Sequence, residues 1–269
     1  MRRWIGLAML FVACADAKSP AIAPADTSAK IQWAMAGKHR SEKNRARDAF
    51  RHPLETLSFF GLKDDMTVIE LWPGRGWYTE ILASVMREKG KLRVTNFTAE
   101  SELADMAKDY DALLASQPAI YGKVEVMRIL PPNQLSLGPD ESADMVLTFR
   151  NLHNWIMGGF EAKVFEATFK VLKHGGVFGF VEHHASDGTD PKLAKETGYV
   201  PEAYAVQLAQ AAGFKLDSKS DVNANPKDPK NHEGGVWALP PNLKNGEKDK
   251  AKYQAIGESD RMTLKFAKP

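Results

Sequence analysis

The sequence predicts an α/β fold: a mostly parallel sheet with helices on both faces and one antiparallel strand at the C-terminal end. Three observations carry this. Short apolar runs alternate with segments of helical spacing from Val68 to Phe214. A Pro-Gly-x-Gly turn joins the first run to the first helical segment. The last strand-like segment, Arg261 to Phe266, has no helix before it, so it returns as a hairpin rather than by a crossover.

The first strand is Val68 to Leu71, followed by the turn Trp72-Pro73-Gly74-Arg75-Gly76. Trp77 to Glu88 then carries Ile81, Leu82, Val85 and Met86 at helical spacing. Strand, glycine turn and helix bring backbone close to a nucleotide-like ligand, because glycine has no Cβ to block the turn or the approach. Glu70 stands near the strand's carboxyl end, where an acid can meet a ligand's polar groups. Gly74-x-Gly76-x-x-Thr79 matches the dinucleotide fingerprint only in part, since its third glycine is missing. The plainer reading is an ordinary tight βα turn.

The remaining elements follow in order. Lys91 to Phe97 is a second strand and Glu100 to Ser116 a helix with Leu103, Met106, Ala107, Tyr110 and Leu113 on one face. Val124 to Ile129 is the third strand and Asp144 to Phe149 the fourth, with a Pro-containing loop between them. A helix over Phe160 to Leu172 turns at Lys173-His174-Gly175-Gly176 into a fifth strand, Val177 to Glu182. A helix opened by Pro201 ends at Gly213, and Phe214 to Ser218 is the sixth strand. Lys219 to Ser259 is a polar, lysine-rich insertion whose one apolar island is Val236-Trp237-Ala238-Leu239. Arg261 to Phe266 alternates cleanly, as a strand with one wet face does.

Upstream of the domain, Arg2-Arg3 and the uncharged run Trp4 to Ala13 read as an export signal, too short to span a bilayer permanently. Two processing routes fit. Ala15-Asp16-Ala17 is a small-x-small site, making 1–17 a signal peptide. Phe11-Val12-Ala13-Cys14 resembles a bacterial lipobox, which would end the signal at Ala13 and attach lipid to Cys14, the single cysteine. Either route places the protein in the periplasm or on the outer membrane as a lipoprotein. Arg2-Arg3 also hints at a twin-arginine signal, although the residues after it match one poorly. Residues 18–37, rich in Ala, Pro and Ser at their start, read as a tether, and 38–269 as the domain. Lys38 to Arg51 is strongly basic. It reads as a solvated helix face, or as a contact for anionic lipid or an acidic substrate. A net charge of +2 over 269 residues gives no case for nucleic acid.

With these parts in place the chain resembles a class I S-adenosylmethionine-dependent methyltransferase, and most closely a group of predicted bacterial methyltransferases that carry export signals. The resemblance runs from about Arg47 to Pro269. It rests on Glu70-Leu71-Trp72-Pro73-Gly74-Arg75-Gly76-Trp77-Tyr78-Thr79, on Ser142 to Val146, on Leu172 to Val177 and on the final strand. It implies a Rossmann-like seven-stranded sheet with S-adenosylmethionine across the carboxyl ends of strands one, two and four. It further implies that Trp72, Pro73, Gly74 and Gly76 lie along the cofactor, Glu70 near its methionine amino group and Asn151 beside the sulfonium. Three departures stand out. Trp72 replaces the usual first glycine, Asn96 stands where an acid usually grips the ribose, and no acid follows the third strand at Arg128-Ile129-Leu130. Exchanging an ionised acceptor for a neutral one at Asn96 costs on the order of 1 kcal/mol.

Methyl transfer needs a base only where the acceptor must lose a proton. His153, just past the fourth strand, and His183, just past the fifth, are the candidates, because those strands should be neighbours. The plainer reading makes both packing residues. No metal is expected: His183 and His184 alternate faces, and His174 and His232 lack ligand spacing. Trp77, Tyr78, Trp155 and Tyr199 read as core or as the lining of an acceptor pocket. Three functional readings result: an S-adenosylmethionine-dependent methyltransferase with a small or lipid-like acceptor; an inactive module of the same fold holding a nucleoside-like ligand or a partner protein; and a nicotinamide-dependent oxidoreductase, which the partial fingerprint disfavours. An exported enzyme would be separated from the cytoplasmic source of its cofactor, which is the case for the second reading.

Overall fold

The computed structural model describes residues 26–269. The residues read as an export signal, including Arg2, Arg3 and Cys14, and the first part of the tether, 18–25, lie outside that range. A seven-stranded sheet organises the rest. Its strands are β1 (Thr67–Leu71), β2 (Lys91–Phe97), β3 (Glu125–Ile129), β4 (Ala143–Phe149), β5 (Leu172–His183), β6 (Lys215–Ser220) and β7 (Arg261–Ala267), in the order β3-β2-β1-β4-β5-β7-β6. The pairs from β3 through β5 are parallel, and β7 is antiparallel to both β5 and β6. The final strand thus closes a hairpin with β6, although its approach is not free of helix as the sequence reading has it, since a short helix over Lys250–Ile256 lies in the insertion.

Side-chain alternation builds a core on each face. On β1 Ile69 and Leu71 join one cluster and Val68 the other; on β5 Phe178 and Phe180 join the first and Val181 the second. Burying each such side chain contributes about 1.5–3 kcal/mol. The helices α1 (Thr27–Met35), α2 (Glu42–Arg45), α3 (Asp48–Arg51), α4 (Pro53–Phe60), α5 (Thr79–Met86), α6 (Ala104–Ser116) and α7 (Pro118–Tyr121) come from the first half of the chain. The second half supplies α8 (Leu152–Gly158), α9 (Glu161–Val171), α10 (Ala194–Thr197), α11 (Glu202–Ala211) and α12 (Lys250–Ile256). Among the described residues no helix is long and apolar enough to cross a membrane.

Three parts of the chain differ from the sequence reading. The span 18–37 is not tether to its end. Asp26 caps α1, and Ile31 and Ala34 are buried in the core, so the domain starts before residue 38. Lys38 to Arg51 is not a solvated face. Arg40 and Arg51 are buried, and Arg40 forms a two-pronged pair with Asp48 at 2.7 Å on both prongs. Charge count cannot reveal this, because Arg40 also meets Glu80 and Arg51 meets Glu258, carboxylates that come from distant segments. The polar insertion after β6 is packed rather than solvated. Ala238, Leu239 and Tyr253 form a small core of their own, and Val236 packs with Tyr199.

Candidate functional site

The switch point of the sheet lies between β1, whose neighbours are β2 and β4, and the chain turns over it. Trp72 leaves β1 at φ 45°, a left-handed conformation that a bulky residue adopts at a cost of about 1–3 kcal/mol. Two anchors hold it there. Its N–H donates to Thr95 Oγ1 at 2.8 Å, and Asn151 Nδ2 donates to the carbonyls of Leu71 and Trp72 at 3.0 and 3.3 Å. Its indole packs among Phe97, Trp155 and Phe160. The missing glycine is therefore replaced by a strained tryptophan fixed from both sides.

The two glycines of the turn do different work. A Cβ at Gly74 (φ 61°) would meet nothing within 4 Å, whereas one at Gly76 would lie 2.4 Å from Leu113 Cδ2. Gly74 thus faces open space, and Gly76 lets α6 pack close. Over the turn opens a cavity of about 1180 Å³. It is lined by Trp72, Pro73, Gly74 and Arg75, by Phe97, Glu100, Leu103 and Met106, by Asn151 and His153, and by His183. Val236, Trp237 and Leu239 of the insertion also border it, as do Glu258 and Ser259 at the entry to β7. Clefts for one small ligand run to about 300–1,000 Å³, so this one has room for two partners together.

Of the residues expected along the cofactor, Trp72, Pro73, Gly74 and Asn151 lie on the cavity wall, and Glu70, Gly76 and Asn96 do not. Glu70 is buried, and the Thr79 hydroxyl donates to its Oε2 at 2.6 Å. Burial raises its carboxyl to about 8, so at neutral pH it is protonated and not the anion that would meet an amino group. Asn96 spends its amide on structure. Its Nδ2 donates to the Ala107 carbonyl and to Asp111 Oδ1 at 3.0 and 2.9 Å, and its Oδ1 accepts from Phe97 N–H. The carboxylate that β2 sends to the cavity is Glu100, four residues on and exposed. Its position at the start of a segment read as helix hid it in the sequence.

His153 and His183 do meet. Both are buried on the cavity wall with ring centroids 5.3 Å apart. Glu182, the residue before His183, faces across to α8: its Oε1 lies 3.0 Å from His153 Nδ1 and accepts from His183 N–H at 2.8 Å. A carboxylate accepts, so Nδ1 of His153 carries a hydrogen toward Glu182, and Nε2 is the ring nitrogen not tied to that carboxylate. His183 Nδ1 lies 2.5 Å from Ser259 Oγ. Burial is the main force pushing the His183 imidazole well below its usual range, and positive charge on His153, Arg150, Arg261 and Arg51 adds to it. His183 is therefore a neutral base.

His153, Glu182 and His183 also bring three ligating groups within 4.8 Å of one another, a set that spacing along the chain does not show. His184 turns away to Asp260 at 3.3 Å, as alternation requires. The guanidinium groups near His183 place positive charge beside the trio, which opposes a divalent cation there. Tyr78, Trp155 and Tyr199 are core residues away from the cavity wall, and Trp77 alone of the four aromatics borders it.

Comparison with known proteins agrees with this architecture. No family model and no curated protein sequence matches the chain. Among solved structures, a SAM-dependent methyltransferase from Aquifex aeolicus matches with TM-score 0.57 at 18% identity, covering 90% of this chain and 98% of that one. The [4+2]-cyclase SpnF matches with TM-score 0.57 at 16% identity, covering 87% and 84%. A proposed sarcosine dimethylglycine methyltransferase from Galdieria sulphuraria matches with TM-score 0.56 at 16% identity, covering 84% and 87%. At these identities the likeness is one of fold. The sheet order, the antiparallel last strand and these neighbours together give the chain the class I S-adenosylmethionine-dependent methyltransferase fold.

Proposed function

We propose that the protein is an S-adenosylmethionine-dependent methyltransferase acting on a small or lipid-like acceptor in the cell envelope. The observation that carries this is the open cavity over Gly74 with a buried, oriented histidine pair in its wall. The residues present fit the cofactor. Nothing stands within 4 Å of a Cβ at Gly74, aromatic faces of Trp72 and Phe97 flank the space, and Glu100 offers an acceptor for hydroxyl groups. When bound, the cofactor supplies an electrophilic methyl group on a sulfonium.

The chain's own residues then have definable tasks. The wall holds acceptor and methyl group in line, and such positioning is worth roughly 7–11 kcal/mol. His153 Nε2, the ring nitrogen left over once Nδ1 faces Glu182, takes the acceptor's proton as its heteroatom bonds to carbon. His183 supports the same step as a neutral neighbour. The apolar side chains of Leu103 and Met157, exposed yet on the cavity wall, favour an acceptor with an apolar body. The export signal at the N-terminus favours the envelope as the site of action.

A second reading keeps the fold and a nucleoside-like ligand, or a partner protein, without methyl transfer. The internal use of Glu70 and Asn96 favours it. Calorimetry with S-adenosylhomocysteine separates the readings from no binding at all. Micromolar affinity is expected, and a flat titration at millimolar ligand would sink the methyltransferase. Radiolabelled methyl transfer from S-adenosylmethionine to envelope extracts separates the first reading from the second. For the location, Cys14→Ser is expected to release the protein from membranes if Cys14 is lipidated.

A further inference from the structure

The basic segment before β1 and the residue after β4 converge on one part of the cavity wall. Arg47, Arg51 and Arg150 all border it, with Glu258 between them. Arg47 Nε lies 2.6 Å from Glu258 Oε1, and Arg51 Nε lies 3.2 Å from Oε2. Arg261 takes the same carboxylate at 3.2 Å and spends its other nitrogens on the carbonyls of Phe50 and Ser259. One carboxylate thus serves three guanidiniums. Nη2 of Arg47 and Nη2 of Arg51 are buried without any partner. Arg150 forms no side-chain hydrogen bond or ion pair among the described residues, and its backbone is held at φ 63° by an N–H to the Val181 carbonyl at 2.7 Å. A buried guanidinium nitrogen with no acceptor is costly, so two at one wall, beside the half-buried and unpaired Arg150, need an explanation.

We propose that Arg47, Arg51 and Arg150 form a subsite for an anionic oxyacid group, a carboxylate or a phosphate, on the molecule that occupies the cavity beside His153 and His183. A planar guanidinium gives two parallel donors to either group, which suits the free Nη2 atoms. Arg51 is 2% exposed and stacks 4.6 Å from the Trp77 ring, so its fork is held in place before any ligand arrives. Glu258 orients Arg47 and Arg51 through their Nε atoms and leaves the Nη2 atoms for the ligand. Four guanidiniums near two carboxylates, Glu258 and Glu182, leave a positive excess that a bound anion offsets. Read with the proposed function, on which this last step rests, the methyl acceptor carries an acidic group on an apolar body, and the arginines set which atom faces the base.

The test uses full-chain protein in low-salt buffer at pH 7, with benzoate, phenyl phosphate and benzyl alcohol as probes in calorimetry. Binding of benzoate or phenyl phosphate but not benzyl alcohol is expected, and the tighter anion names the group. Arg150→Gln, which breaks no pair in the free protein, is expected to weaken anion binding about tenfold or more, and Arg150→Lys less. S-adenosylhomocysteine affinity should stay within about twofold in both. Equal binding of benzyl alcohol, or no anion binding by the wild type, overturns the subsite. Loss of S-adenosylhomocysteine affinity in Arg150→Gln to the same extent as the anion also overturns it, because the arginines would then hold the cofactor's own carboxylate. Anion binding without any S-adenosylhomocysteine binding leaves the subsite standing and removes the methyltransferase reading instead.

Discussion

Glu182 Oε1 sits 3.0 Å from His153 Nδ1 while the same oxygen accepts the His183 N–H at 2.8 Å. One buried carboxylate at the end of β5 therefore fixes the ring of α8 and the backbone of its own strand. The pairing fixes the tautomer of His153 and leaves its Nε2 as a base.

His153→Gln should lower methyl transfer by about 10²–10⁴-fold, the usual contribution of a positioned base. S-adenosylhomocysteine affinity should hardly change. Glu182→Gln should cost less, about 10–100-fold, because the ring stays while its orientation loosens. Paired turnover and calorimetry check this. An acceptor that needs no deprotonation would show itself as an unaltered rate in both variants.

His183 gives a stability signature independent of activity. Its folded imidazole titrates well below the ordinary 6.5. The unfolded chain takes up this proton near 6.5, and the folded chain does not until lower pH. Unfolding therefore binds protons below 6.5, and stability must fall as the pH drops from there. Thermal melts from pH 7.5 to 5 should show this slope, and His183→Gln should flatten it. An unchanged slope would mean that other groups dominate the acid limb.

Glu70 has the opposite sign. Its carboxyl titrates at about 8 when folded, against 4.5 as the ordinary value. The folded state holds the proton longer, so the stability this group provides is full below 4.5 and is lost as the pH rises through 8. The loss is on the order of a few kcal/mol. Glu70→Gln keeps a neutral group for Thr79, which in turn pairs with Tyr110, and should remove this decline with rising pH. Melts of the two proteins should diverge progressively from pH 4.5 to about 8 and keep a constant gap above that. Parallel curves would show that Glu70 ionises without cost.

The sheet was legible in the sequence because β-strands and helices bury residues at different periods; only β6, with Leu216 as its one apolar residue, lacks an apolar run of its own. His153 and His183 were legible for the same reason: strand order alone brings β4 and β5 together. Glu182 was not, because an acid at a strand end has no period. Arg47, Arg51 and Arg150 were not either. Glu258, the common partner of Arg47 and Arg51, is 211 residues from Arg47, and only the hairpin return of β7 brings it back. The same logic misassigned Asn96, whose place in a motif says nothing of the α6 carbonyl that it faces.

Asn96 faces α6 and Glu100 faces the cavity, and variants tell the two apart. Asn96 ties β2 to α6 through Ala107 and Asp111, and its loss leaves a buried carbonyl without a donor. Asn96→Ala should destabilise the protein by about 1–3 kcal/mol while changing S-adenosylhomocysteine affinity little. Glu100 stands exposed at the cavity edge, where its carboxylate can accept from hydroxyl groups as an anion. Glu100→Gln should leave the melting temperature unchanged and weaken S-adenosylhomocysteine several-fold, as an ionised acceptor gives way to a neutral one. Denaturant melts and calorimetry on the two variants decide the matter. If Asn96→Ala lost the ligand and Glu100→Gln kept it, the ribose would have to lie on the α6 side of β2, and the cavity over Gly74 would belong to another molecule.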